Sequence, residues 1–113
     1  MPEAHDKDKI ELLLKSNDEQ TVIDAIMYMT FNINDPEWIQ NKCSEQINSK
    51  KSSNITELSI TCLGHVARIH RTINMNTTIP LLNKLLKTKE FSGHARDALD
   101  DIEQFVKKNQ TQP

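Results

Sequence analysis

The chain has 113 residues and a mass of 13.0 kDa, which suits one small domain spanning residues 1–113, since compact domains usually run about 100–150 residues. Two Gly and four Pro exclude collagen-like, Gly-rich and turn-dense all-β designs, which need those residues at many corners. A net charge of −2, from 14 Lys+Arg and 16 Asp+Glu, supplies no overall basic field for phosphates, so no nucleic acid is expected as partner.

Caps and 3.6-residue periodicity predict six helices. The first runs from about Asp6 to Lys15 and buries Ile10, Leu13 and Leu14; Ser16-Asn17 interrupts it. The second starts near Asp18 and reaches about Phe31, with Val22, Ile23, Ile26 and Met29 on one face. Asp35-Pro36 opens the third, because Asp accepts from orphan backbone N–H groups and Pro is tolerated at the first helical position. Trp38, Ile39, Cys43 and Ile47 then recur to about Ser49. After the polar turn Lys50-Lys51-Ser52-Ser53, the pair Asn54 and Glu57 has capping-box spacing and predicts the start of the fourth helix. Its stripe is Ile55, Leu58, Cys62, Val66 and Ile69, ending near His70. A fifth helix is expected between about Thr77 and Lys87, with Pro80 in its first turn and Leu82, Leu85 and Leu86 inward. Ser92 is the expected cap of the sixth, whose stripe is Ala95, Ala98, Leu99, Ile102 and Phe105. Residues 109–113 have nothing to bury and are expected to fray.

Apolar and polar residues never alternate at period 2 over a useful length, so the expected fold class is all-α. Leu, Ile, Val and Phe make up about a quarter of the chain, above the ~20% below which disorder is expected. Cys43 and Cys62 fit neither a disulfide framework nor a zinc spacing and read as buried free thiols. The first residues lack an apolar leader-like run, and no stretch approaches the roughly 20 apolar residues of a membrane span. A cytoplasmic protein without membrane contact is the expectation.

Three helix interiors resemble one another: Ile23-Asp24-Ala25-Ile26, Ile60-Thr61-Cys62-Leu63 and Arg96-Asp97-Ala98-Leu99. Their small residues, Ala25, Cys62 and Ala98, stand 37 and 36 positions apart. A period of this size with two helices per unit predicts a short α-solenoid of about three stacked helical hairpins, near residues 6–32, 35–70 and 77–108. In period and helix pattern the chain resembles the HEAT-repeat family over residues 10–107. It departs from the family where Pro belongs in the first helix and Asp with Arg or Lys at the start of the second; only Pro36 and Pro80 approximate this. The run Thr61-Cys62-Leu63-Gly64-His65-Val66-Ala67-Arg68-Ile69-His70, with Gly93-His94-Ala95-Arg96-Asp97-Ala98-Leu99-Asp100-Asp101-Ile102-Glu103, looks like small bacterial HEAT-type immunity proteins of polymorphic-toxin and contact-dependent inhibition systems. That resemblance implies a cytosolic, non-enzymatic protein that binds and neutralises one cognate toxin domain, often a nuclease. A general HEAT-type adaptor without a toxin partner is the alternative.

The candidate partner-binding residues are Asp24, Tyr28, Thr61, His65, Arg68, Asp97, Asp100, Asp101 and Gln104. Arg68 could pair with Asp97 or Asp101 to hold adjacent helices in register, or these side chains could meet a partner on an extended solenoid face. His65 and His70, five apart, point about 140° from each other and do not converge as an acid–base pair. Cys62 and His65 do not form a recognised metal spacing. Gly64 inside a helix costs about 1 kcal/mol relative to Ala, which points to close backbone packing or to space for a partner, packing being the first expectation. Trp38 is either half-buried core or a binding anchor; Tyr28 and Phe31 either extend the contact face or cover the core's edge. No phosphate loop, nucleophile elbow or HExxH occurs, so no catalytic residue, metal or cofactor is expected.

Overall fold

Oxygen-bearing side chains set the first four helix starts. In the computed structural model, which describes residues 5–107, Asp6, Asp18 and Asp35 accept from the backbone N–H groups of Lys9, Thr21 and Trp38, and Ser52 accepts from that of Ile55. They open α1 (Lys7–Leu14), α2 (Glu19–Asn32), α3 (Pro36–Ser49) and α4 (Ser53–His70). Ser52, rather than Asn54, is therefore the cap of α4. Its hydroxyl caps an orphan donor two residues sooner and lets the helix begin about half a turn earlier than the capping-box spacing implies.

The last helices start differently. The backbone before α5 (Thr78–Leu85) is turned by Asn74, whose Oδ1 accepts from the N–H groups of Asn76 and Thr77. α6 (Ser92–Ile102) has Phe91 in the capping position with no side-chain cap, while Ser92 donates its hydroxyl backward to the Lys89 carbonyl. The expected Ser92 cap is thus corrected. α6 runs into a π-helical turn, Glu103–Lys107. The wider turn brings Val106 wholly into the core and leaves Phe105 half-buried, where the sequence stripe had Phe105 inward. The frayed tail expected at 109–113 lies outside the described residues.

α3 and α4 both end on a residue with left-handed backbone, Lys50 at φ 54° and Arg71 at φ 58°. The carbonyl of Leu14 at the end of α1 accepts from the Lys51 ammonium, 2.7 Å, so a later turn satisfies an earlier helix end.

Every described element of regular structure is helical. α1 packs on α2, α3 on α4 and α5 on α6, while α2, α4 and α6 lie side by side with α4 in the middle. The principal extents are 43 × 33 × 20 Å, and 20 Å is the depth of two helices of ~10 Å diameter. One continuous cluster of buried side chains runs from Ile10 in α1 to Val106, through Ile26, Met29, Ile39, Ile60, Leu63 and Leu82. Cys43 and Cys62 are free and buried in it. Burial pushes both thiols up, Cys62 to about 11, so they stay protonated. Leu13 and Leu86, expected inward, are half-buried at the cluster's edge, and Ile69, also expected inward, is 47% exposed.

Candidate functional site

The contact between α4 and α6 depends on the absence of one methyl group. A Cβ on Gly64 would stand 2.7 Å from Oδ2 of Asp101 and 3.3 Å from the Ala98 Cα. The small residues Gly64 and Ala98 thus let the two backbones approach, and the Asp101 carboxylate settles over the gap beside Gly64. Arg68 forms no ion pair with Asp97 or Asp101 among the described residues. Its guanidinium lies over the Phe105 ring, 5.7 Å from the centroid, and that of Arg71 lies 5.1 Å from the same centroid. Backbone packing, rather than the expected register-holding ion pair, joins the two helices.

The C-terminal halves of α2 and α4 and the π turn enclose a shallow groove of about 420 Å³, lined by Phe31, His65, Arg68, Ile69 and Phe105. Phe31 is 52% exposed, and its ring meets the His65 imidazole at 5.3 Å between centroids. Met27, one turn earlier on α2, is 39% exposed. Scattered exposed apolar side chains are ordinary, but apolar groups gathered around a groove with a cationic rim are the usual anatomy of an interaction surface.

His65 has a lowered pKa, first because burial disfavours the imidazolium and second because of the nearby Arg68 charge, with Asp101 opposing both. The folded protein therefore binds this proton less readily than the unfolded chain. The contribution to stability is complete above the ordinary value of 6.5 and falls as pH drops through 6.5 toward the folded value. Thermal melts of His65→Gln are expected to lose less stability than the parent between about pH 7.5 and about pH 5. Equal losses in both proteins would exclude His65 as the linked group. The hydrogen-bonded carboxylates Glu11, Asp18 and Asp35 have lowered values and titrate below this window.

Of the nine sequence-derived candidates, His65, Arg68 and Asp101 come together: both charged groups act on the imidazole. Thr61 is half-buried one turn before His65. Asp97, Asp100 and Gln104 are exposed on α6 and the π turn. Asp24 is exposed on α2 and accepts from the Gln20 amide at 2.8 Å. Tyr28 belongs elsewhere. Its ring packs on His5 at 4.8 Å and its hydroxyl accepts from the His5 N–H, so it closes the α1 side. Trp38 also lies away from the groove, half-buried with the ammonium groups of Lys7 and Lys42 at 5.4 and 5.6 Å from its ring. These lysines also pair with Asp35 and Glu11, respectively. His70 is half-buried, and its buried Nε2 has no hydrogen-bond partner.

Sequence reasoning placed Ile69 and Phe105 in the core and overlooked Met27 and Arg71. For Ile69 a signal existed. The steps 3, 4, 4 and 3 from Ile55 cover 14 positions, over which a helix turning 100° per residue falls about 40° behind its starting direction. The last member of such a stripe therefore leaves the core face. Phe105 carried no comparable signal, because the π turn that rotates it outward has no sequence signature.

No protein-family model matches the chain, and comparison with curated proteins finds no relative. Among solved structures, the chain is similar to one in the "Crystal structure of CDI complex from Cupriavidus taiwanensis LMG 19424", with a TM-score of 0.81 and 24% identity. The alignment covers 93% of this chain and 94% of that one. The likeness is one of fold, extending over nearly the full length of both chains. Among the described residues, no helix is long and apolar enough to cross a membrane.

Proposed function

We propose that this chain is a cytoplasmic, non-enzymatic immunity-type protein that binds a toxin domain and blocks it. Its helical pairs would act as one short solenoid of the HEAT type, with the Phe31–His65–Phe105 groove as the centre of the contact. The observation that carries this reading is the near-complete structural overlap with a chain of a CDI complex, where CDI is read as contact-dependent inhibition. Two features of the surface support it. The groove offers two phenyl rings and an aliphatic side chain with a guanidinium rim, and Phe and Arg are among the residues enriched at protein interfaces. Asp97 and Asp100 are exposed on α6, the helix that runs into the π turn bearing Phe105, and would draw in a basic partner such as a nuclease, because complementary charge raises association rates.

Co-expression with toxin domains encoded in the same genome is the direct test: the expected outcome, for one of them, is restored growth and a co-purifying complex. Toxicity without complex formation would overturn the proposal. Within the complex, Phe31→Glu combined with Ile69→Glu is expected to weaken binding about 100-fold, as loss of a central anchor does. The same substitutions touch exposed side chains, so melting should change by only a few degrees. Binding unchanged by this pair would move the contact to another face.

A further inference from the structure

The helices on the α1, α3 and α5 side are not gripped like those on the other. Where Gly64 brings α4 and α6 together, α3 and α5 meet sparsely, and polar groups pin them at one end. The Gln40 Oε1 accepts from the Asn74 N–H at 2.8 Å and from the Thr78 hydroxyl at 2.7 Å. The Asn74 amide in turn donates to Glu37 at 2.9 Å. Toward their C-terminal ends no equivalent hydrogen bond joins α3 to α5 among the described residues, and a cleft of about 500 Å³ opens between them, floored by the first turn of α4.

The chemistry of this cleft is two-part. Ile47, Leu81, Leu85 and Phe91 supply an apolar interior, and Lys50 and Lys84 stand in its lining. Lys87 and Lys89 follow in the turn that forms one wall. Its single acidic group, Glu90, already accepts from the Ser53 hydroxyl. Among the described residues neither Lys50 nor Lys84 is in an ion pair. A chain of net charge −2 thus carries here, on a face away from the Phe31 groove, an apolar slot with lysines at its rim.

We infer that the cleft between α3 and α5 is a second docking site, for an acidic peptide segment of a partner protein that inserts a large apolar side chain. Charge complementarity selects the flanking carboxylates, and the apolar lining selects the anchor between them. The inference does not depend on the toxin-binding reading, since it concerns another face of the molecule.

The probes are three acetylated, amidated hexapeptides, DDLFDD, KKLFKK and DDSSDD, titrated into the isotopically labelled full chain with amide resonances followed by NMR. DDLFDD is expected to shift saturably the amides of Ile47, Lys50, Thr56 and Leu85, and to bind about tenfold more tightly than either control. Lys84→Glu, on the exposed side of α5, is expected to weaken DDLFDD about tenfold, and Lys50→Gln to weaken it less, with the remaining spectrum unchanged. DDSSDD binding as well as DDLFDD would reveal only diffuse attraction of polyanions and overturn the inference. So would equal binding of KKLFKK, absence of localised shifts, or indifference to both lysine variants. None of these outcomes bears on the groove at Phe31, so failure here is distinguishable from failure of the toxin-binding proposal.

Discussion

Gly64→Val is expected to destabilise the protein by about 2–3 kcal/mol, the upper part of the ~1–3 kcal/mol range for overpacking a close-packed interior. The first obstacle, the Asp101 carboxylate at 2.7 Å from the new Cβ, lies at the end of a side chain and can swing aside. The second cannot: the Ala98 Cα at 3.3 Å is backbone, held by a helix whose Ala95, Ala98 and Ile102 are buried. Valine adds two further carbons to the crowded position, so α6 must retreat along the contact it shares with α4. At roughly 4–8 °C per kcal/mol for a chain of this size, the melting temperature should fall by about 10 °C or more. Gly64→Ala separates the contributions. Alanine gains about 1 kcal/mol of helix propensity and meets the movable Asp101 carboxylate and the 3.3 Å backbone contact without valine's two further carbons, so its net effect should stay within about 1 kcal/mol. A valine variant that melts like the parent would show that α6 is not fixed against α4 as described.

Gln40→Ala should cost about 2–4 kcal/mol, although the residue is neither apolar nor exposed. Only 3% of Gln40 reaches solvent, and its amide performs three tasks at once. Its oxygen accepts from the Asn74 N–H and the fully buried Thr78 hydroxyl, and its nitrogen donates to the Pro36 carbonyl at 2.9 Å. Truncation strands the buried Thr78 hydroxyl and the half-buried Asn74 N–H without their acceptor, and each unsatisfied buried group costs about 1–3 kcal/mol. Thr78→Val removes one donor and leaves Gln40 serving the other, so its loss should be nearer 1 kcal/mol. Urea unfolding midpoints at constant slope read both values. Hydrogen exchange should also accelerate in α5 before α6, since the lost bonds join α3 to α5. A Gln40→Ala midpoint equal to the parent's would mean that water reaches these groups.

Helix content and most core positions were legible in the sequence because they follow from periodicity: Val22, Ile26 and Met29, or Ala95, Ala98 and Ile102, are buried as their spacing predicts. The three small residues at intervals of 37 and 36 pointed to α2, α4 and α6, the helices that lie side by side. Hydrogen-bond choices among neighbours were not legible. Ser52 and Asn54 are both competent caps, and only the geometry of the preceding turn selects Ser52. The groove was half legible. His65, Arg68 and Asp101 stood out by charge, and Ile69 is betrayed only by the angular drift of its stripe, whereas Phe105 looked like core because the π turn that rotates it leaves no mark in the sequence. The α3–α5 cleft was invisible, since it arises from unequal packing on the two sides of α4 and no local pattern encodes that difference.

Lys50 and Arg71 show a further consequence of how α3 and α4 end. Both adopt left-handed backbone, a conformation that costs an ordinary residue about 1–2 kcal/mol and glycine almost nothing. Part of that penalty is offset because each cation sits where the helix's carbonyl end concentrates partial negative charge. The corners thereby become mounts for long charged arms: one stands at the mouth of the cleft and the other leans across Phe105. Glycine at either site would ease the bend and strip its recess of a positive guard.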